Sequence, residues 1–148
     1  MKYILAALLL TFFITAPTQA QTLEHSVGST IADSLMVEWT RMWNSDDLDA
    51  ISDLYANDVV LHADTSSQGL IGKPSVLNAT SVRMEETGAL KIEPDHSFQR
   101  GDISYQTGRF LINRETGAYS FIFHHKVDRG WKLKYTYYLH DKLVESSK

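Results

Sequence analysis

From Gly88 onward the chain reads as strand almost without pause, and this limits the folds open to it more than any other feature. Leu90–Gln99, Asp102–Asn113, Ala118–Val127 and Trp131–His140 are separated only by "RG", "RETG" and "DRG". Connections that short join antiparallel neighbours, because parallel strands need a crossover of a dozen or more residues. The segments before Gly88 are mostly helical. Helices first and a long meander afterwards define an α+β domain.

The helical part divides at its polar breaks. From Thr30, the residues Ile31, Leu35, Trp39 and Met42 form one apolar stripe flanked by Met36 and Trp43. "NSDD" (44–47) ends that helix and caps a second, short one carrying Leu48, Ile51, Leu54 and Tyr55. "DVVLHAD" (58–64) alternates as a strand, with Val60, His62 and Asp64 on one face and Val59, Leu61 and Ala63 on the other. A very short strand within "TSSQGLIGKP" leads to a third helix over 74–87. Pro74 opens it and Gly88 ends it.

Parity orders the late strands. A three-residue loop, Asp128-Arg129-Gly130, sets Val127 opposite Trp131, His125 opposite Leu133, Phe123 opposite Tyr135, Phe121 opposite Tyr137 and Tyr119 opposite Leu139. It collects Ser120, Ile122, His124, Lys126, Lys132, Lys134, Thr136 and Tyr138 on the other face. A two-residue loop would mix oil and charge on both faces. A four-residue loop over 114–117 then places Ile112, Phe110, Gly108 and Gln106 opposite Tyr119, Phe121, Phe123 and His125. Gly108 leaves a gap in that apolar layer.

This register separates the histidines. His124 and His125 point to opposite faces, and His140 falls about 20 Å from the neighbour of His124, so no metal site is expected in this hairpin. His62, Asp64 and a further ligand are the remaining route to one. The sequence has no cysteine, and no glycine-rich phosphate loop, Ser-His-Asp signature or zinc spacing. No cofactor is expected.

The first twenty residues differ from the rest. Lys2 precedes an apolar run, Tyr3–Ala16, and then "PTQA". About fourteen apolar residues fall short of the roughly 20 needed to span a bilayer. We read 1–20 as a secretory signal peptide cleaved after Ala20, with an uncleaved anchor as the alternative. A flexible segment over 21–29 and a single domain over 30–148 follow, in a periplasmic or secreted protein with no membrane attachment after cleavage. Beyond Ala20 there are 13 basic and 18 acidic side chains, the wrong balance for a nucleic-acid partner.

"WTRMWNSDDLDAISDLYANDVVLH", "GLIGKPSV", "GDISYQTGRF" and "FIFHHKVDRGWKLKYTYYLHD" together resemble the nuclear transport factor 2-like superfamily, in particular its SnoaL-like branch and related small stand-alone domains. The resemblance covers about residues 30–141. It implies a cone-shaped roll: a strongly bent antiparallel sheet wrapped around about three N-terminal helices, with a pocket in the open end. It also implies frequent homodimerisation through the outer sheet face, where the parity above puts Tyr105, Leu111, Ile122 and Tyr138.

Enzymes of the superfamily set a carboxylate or histidine base among aromatic side chains, where low polarity tunes its pKa. The catalytic candidates here are His125 on the apolar face, and His62 with Asp64 two residues away. The pocket candidates are Trp43, Tyr55, Gln106, Phe110, Phe123, Tyr135 and Tyr137. Each has a plainer reading: a satisfied core histidine, a solvated edge acid, aromatics that fill the core. No aspartate occupies a late apolar strand position, contrary to the steroid-isomerase pattern. Two functions follow. One is a domain that binds a small, mostly apolar or aromatic metabolite, its enzymatic version performing cofactor-free acid–base turnover. The other is a non-catalytic dimeric interaction or scaffold module with a closed core.

Overall fold

The computed structural model describes residues 29–63 and 68–141. The signal-peptide reading of residues 1–20 and the candidate Asp64 lie outside the described residues. Helix α1 (Ile31–Asn44) begins at Thr30, whose hydroxyl accepts from the Asp33 N–H while the Asp33 carboxylate accepts from the Thr30 N–H at 2.6 Å. This reciprocal cap satisfies two donors that a helix start leaves unpaired. Helix α2 (Leu48–Leu54) is capped by Asp47. Helix α3 (Lys73–Thr87) has Pro74 in its first turn and stops at Gly88, whose φ of +71° suits glycine.

The strands are β1 (Tyr55–Ala63), β2 (Leu70–Ile71), β3 (Leu90–Arg100), β4 (Ile103–Ile112), β5 (Glu115–Lys126) and β6 (Gly130–His140). They form one curved sheet in the order β2-β1-β6-β5-β4-β3. All neighbours are antiparallel except β1 and β6, which run parallel. The helices pack in its concave side. The α+β cone is as expected, with a mixed rather than wholly antiparallel sheet.

The buried stripe of α1 is Ala32, Met36, Trp39, Met42 and Trp43. It is rotated from the expected Ile31–Leu35 line, both of which are partly buried. Trp39 meets the edge of Phe121 at 5.0 Å between ring centres. Both are essentially inaccessible to solvent, and burying a side chain of the Leu or Phe class stabilises by about 1.5–3 kcal/mol.

Two registers differ from the sequence reading. Strands β4 and β5 meet through a two-residue turn, Asn113-Arg114, with Ile112 opposite Glu115, Gly108 opposite Tyr119 and Gln106 opposite Phe121. The slide is four residues, an even number, so the inward set of Gln106, Gly108, Phe110 and Ile112 is as expected. The Tyr119 hydroxyl fills the gap at Gly108, lying 2.8 Å from where a β-carbon would stand.

At the β5–β6 hairpin Lys126 pairs with Gly130, His125 with Trp131 and Phe123 with Leu133. Gly130 has the positive φ of +65°, and Val127 is wholly exposed in the turn instead of facing Trp131. The pairing then skips Lys134, so Ile122 meets Tyr135. This one-residue bulge reverses the faces of β6 beyond Leu133. Thr136, Tyr138 and His140 turn inward, while Tyr135 and Tyr137 turn outward, 41% and 48% exposed.

Candidate functional site

An aromatic wall crosses the sheet's inner face. Phe110 lies over Gly117, where a β-carbon would come within 2.7 Å of the ring. Its edge contacts continue to Tyr138 at 5.8 Å and His140 at 5.4 Å. Tyr138 in turn meets Phe121 at 5.5 Å. Trp39 and Trp43, 5.1 Å apart, face this wall from α1. Trp43 is held by donating to the Gly88 carbonyl at 3.1 Å, and Asn44 pairs twice with the Leu90 backbone. The end of α1 is thereby fixed to the start of β3.

Trp39, Trp43, Phe110, Tyr138 and His140, with Leu61 and Ala63 of β1, Thr80 of α3, Leu90 and Ile112, line a cavity of about 580 Å³. That volume falls in the usual range for small-molecule sites, roughly 300–1,000 Å³. The wall is mainly apolar, and its polar groups are few. The Tyr55 hydroxyl, buried behind the wall, lies 3.4 Å from Thr80 Oγ1, which donates to the Val76 carbonyl. Burial pushes the pKa of Tyr55 up. Burial likewise drives Tyr138 well above its ordinary range, with a further push from Tyr55. Tyr138 is therefore a neutral donor, and its hydroxyl has no hydrogen bond among the described residues.

The mouth is charged. Arg83 on α3 pairs through Nη2 with the Glu115 carboxylate. His140 Nε2 stands 3.4 Å from that Nη2 and 3.8 Å from Glu115 Oε2. Across the rim Asp141 accepts from Thr116 Oγ1 at 2.6 Å and pairs with Arg109. The Thr116 hydrogen bond holds the Asp141 carboxyl below the usual range; desolvation opposes it, and the charge and hydrogen bond of Arg109 add to the lowering. No cluster of three or more metal-ligating side chains occurs among the described residues.

The cone geometry and apolar cavity define a class, the pocketed α+β rolls. The family follows from sequence: residues 36–134 match the model of the SnoaL-like domain, and the chain belongs to that family. No curated protein matches it. Solved structures that share the fold include a provisionally named ketosteroid isomerase from Parabacteroides distasonis, 13% identical, with a TM-score of 0.65 over 81% of this chain and 95% of that one. A provisionally named dehydratase of the NTF2-like family from Streptomyces avermitilis is 17% identical, with a TM-score of 0.61 over 74% and 94%. An NTF2-like protein of unknown function from Shewanella oneidensis is 21% identical, with a TM-score of 0.61 over 72% and 93%. At these identities the likeness is one of fold.

Of the sequence candidates, Trp43 and Phe110 line the cavity. Tyr55 and Phe123 are buried in the core beside it. Gln106 is buried in a separate polar network: it donates to Asp33 at 2.6 Å and accepts from the Tyr119 hydroxyl at 2.7 Å. The expected Gln106–His125 pair does not form, because the four-residue slide moves them apart. His125 is exposed and meets the Trp131 ring at a tilt, 5.2 Å between ring centres. His62 is exposed on the outer face opposite Tyr137, its ring lying over Gly69. The bulge at Lys134 takes Tyr135 and Tyr137 off the inner face and brings Tyr138 off the outer one.

Sequence reasoning missed Trp39, Arg83, Tyr138 and His140 as cavity residues. Arg83 was within reach, since it follows Thr80 by three residues on the helix face that Val76 and Thr80 define. His140 was not, because its facing depends on the bulge.

Proposed function

We propose that this is an exported SnoaL-like domain that binds a small, mostly apolar or aromatic metabolite in the cone. The observation that carries the reading is the cavity of about 580 Å³, with Trp39, Trp43, Leu61, Leu90, Phe110 and Ile112 in its wall and polar groups confined to a few positions. Native mass spectrometry of residues 21–148 recovered gently from the periplasm tests it. A copurified mass of a few hundred daltons supports the reading. A clean protein that gains no adduct from a metabolite extract favours the closed interaction module instead. Recovery of the uncleaved chain in the membrane fraction would defeat the export proposal.

A homodimer through the outer sheet face belongs to the same proposal. Phe98, Tyr105, Ile122, Tyr135, Val60 and Ile71 form a row across all six strands, and Leu111 is exposed further along β4. Tyr135→Glu should convert the dimer to monomer in sedimentation. An unchanged sedimentation coefficient would place any interface elsewhere.

Cofactor-free acid–base turnover is the second reading, and one contact favours it. His140 lies at the cavity within 3.8 Å of Glu115, a carboxylate that can orient and stabilise an imidazolium. The base is then His140, in place of the outward-facing His125 and His62. His140→Ala that retained ligand while turnover continued at the wild-type rate would remove it from the chemistry.

A further inference from the structure

Arg83 is anchored through one terminal nitrogen and keeps donors on its other two nitrogens. Its contacts with Glu115 and His140 run through Nη2, and Nε and Nη1 make no hydrogen bond among the described residues. A guanidinium carries five N–H donors in a fixed fork, so the Glu115 contact orients the group without exhausting it. Arg83 lines the cavity, and so does Tyr138, whose hydroxyl has no hydrogen bond among the described residues.

A third donor stands at the rim. Arg114 occupies the tight turn after Asn113, whose φ of +55° directs the chain sharply into β5. It lines the mouth and has no ion pair among the described residues. Arg109 is committed to Asp141, and Arg83 has Glu115. Among the described residues of this rim the arginines outnumber the carboxylates by three to two, on a chain whose net charge is −4.

We propose that the ligand is an amphipathic carboxylic acid, its apolar body against Trp39, Trp43 and Phe110 and its carboxylate held by Arg83, Tyr138 and Arg114. This rests on the pocket reading above and names the class of ligand. A carboxylate can accept a charge-assisted hydrogen bond from the Nε–H or an Nη1–H donor of Arg83, and bonds of this kind are among the stronger ones available. The Tyr138 hydroxyl gains the acceptor that the apolar wall denies it.

The test is isothermal titration of the purified protein with two matched pairs: decanoate against decanol, and 2-naphthylacetate against 2-(2-naphthyl)ethanol. Each acid is expected to bind at least about tenfold tighter than its alcohol, the scale of one charge-assisted hydrogen bond. Arg83→Gln and Arg114→Gln should erode that preference while leaving alcohol affinity within about twofold. Arg114 sits in an exposed turn, so its variant remains informative if Arg83→Gln folds poorly, and circular dichroism decides that point. Alcohols that bind as tightly as the acids would overturn the carboxylate proposal and leave the pocket standing. A preference that survives both substitutions would overturn the assignment to these arginines. Failure of all four probes to bind would defeat the pocket reading, and this proposal with it.

Discussion

Gln106→Leu is the substitution that best separates a structural role from a ligand contact. Gln106 is 1% exposed, accepts from the Tyr119 hydroxyl at 2.7 Å and donates to Asp33 at 2.6 Å. Leucine has nearly the same volume but satisfies neither partner. The Tyr119 hydroxyl is stranded in a buried site, and the Asp33 carboxylate retains only Ser97 and the Thr30 groups. Each stranded group costs about 1–3 kcal/mol. Greater apolar burial at position 106 offsets ~1 kcal/mol. The expected net loss is about 1–5 kcal/mol by urea denaturation at unchanged m-value.

A cycle with Tyr119→Phe sharpens the expectation. In the wild-type background that change costs roughly 1 kcal/mol, because it leaves Gln106 Oε1 without a donor. In the Gln106→Leu background it removes the stranded hydroxyl and should recover about as much, a coupling near 2 kcal/mol. Equal costs in both backgrounds, or a Gln106→Leu loss under about 0.5 kcal/mol, would refute the network account. Gln106 lies outside the cavity wall, so ligand affinity should not move. A tenfold change would return Gln106 to the ligand site.

Phe121→Ala removes the edge partner shared by Trp39, Tyr119 and Tyr138 and should cost about 3–5 kcal/mol in denaturant midpoint terms. Gly117→Ala would set a β-carbon 2.2 Å from the Leu139 carbonyl and 2.7 Å from the Phe110 ring. Thermal denaturation should show a loss of about 1–3 kcal/mol, and displacement of Phe110 into the cavity should weaken ligand binding. Asp33 has a lowered pKa: burial raises it, but hydrogen bonds from Ser97, the Thr30 backbone and Gln106 outweigh that effect. Its contribution is therefore full above the unfolded value and lost as pH falls through the lower folded value. The stability gap between wild type and Asp33→Asn, followed by urea titration from pH 6 to pH 2.5, should narrow below about pH 4. A gap that widened on acidification would contradict the sign.

Much of the fold was legible because it rests on local chemistry. The helix start at Thr30, the break at 44–47, Pro74 and Gly88 are short local signals, and each marks a real boundary. The inward set of β4 was readable from alternation alone, and an even slide of register left it intact. The parallel pairing of β1 with β6 was not readable. It joins residues some 75 positions apart, and nothing in a hairpin-rich sequence announces it.

The cavity's polar end was lost for a related reason. Strict alternation from Leu133 puts Tyr135, Tyr137 and Leu139 on one face, and that set is more apolar than Thr136, Tyr138 and His140. Hydrophobic sorting alone therefore favours the wrong face. What overrides it is tertiary: Lys134 pairs with Asp58 on the neighbouring β1, and Lys132 donates to the Asp53 carbonyl at the end of α2. The end of α2 and parallel β1 thus offer partners to the two lysines of β6 at the place where the extra residue is taken up. Tyrosine tolerates the exchange because it combines an apolar ring with a polar tip, so either face accepts it. The inserted residue then has two consequences at once. It brings Tyr138 and His140 to the cavity, and it puts Tyr135 into the apolar row that crosses the outer sheet. The proposed ligand site and the proposed dimer face are alternate residues of one strand, and both depend on the bulge at Lys134.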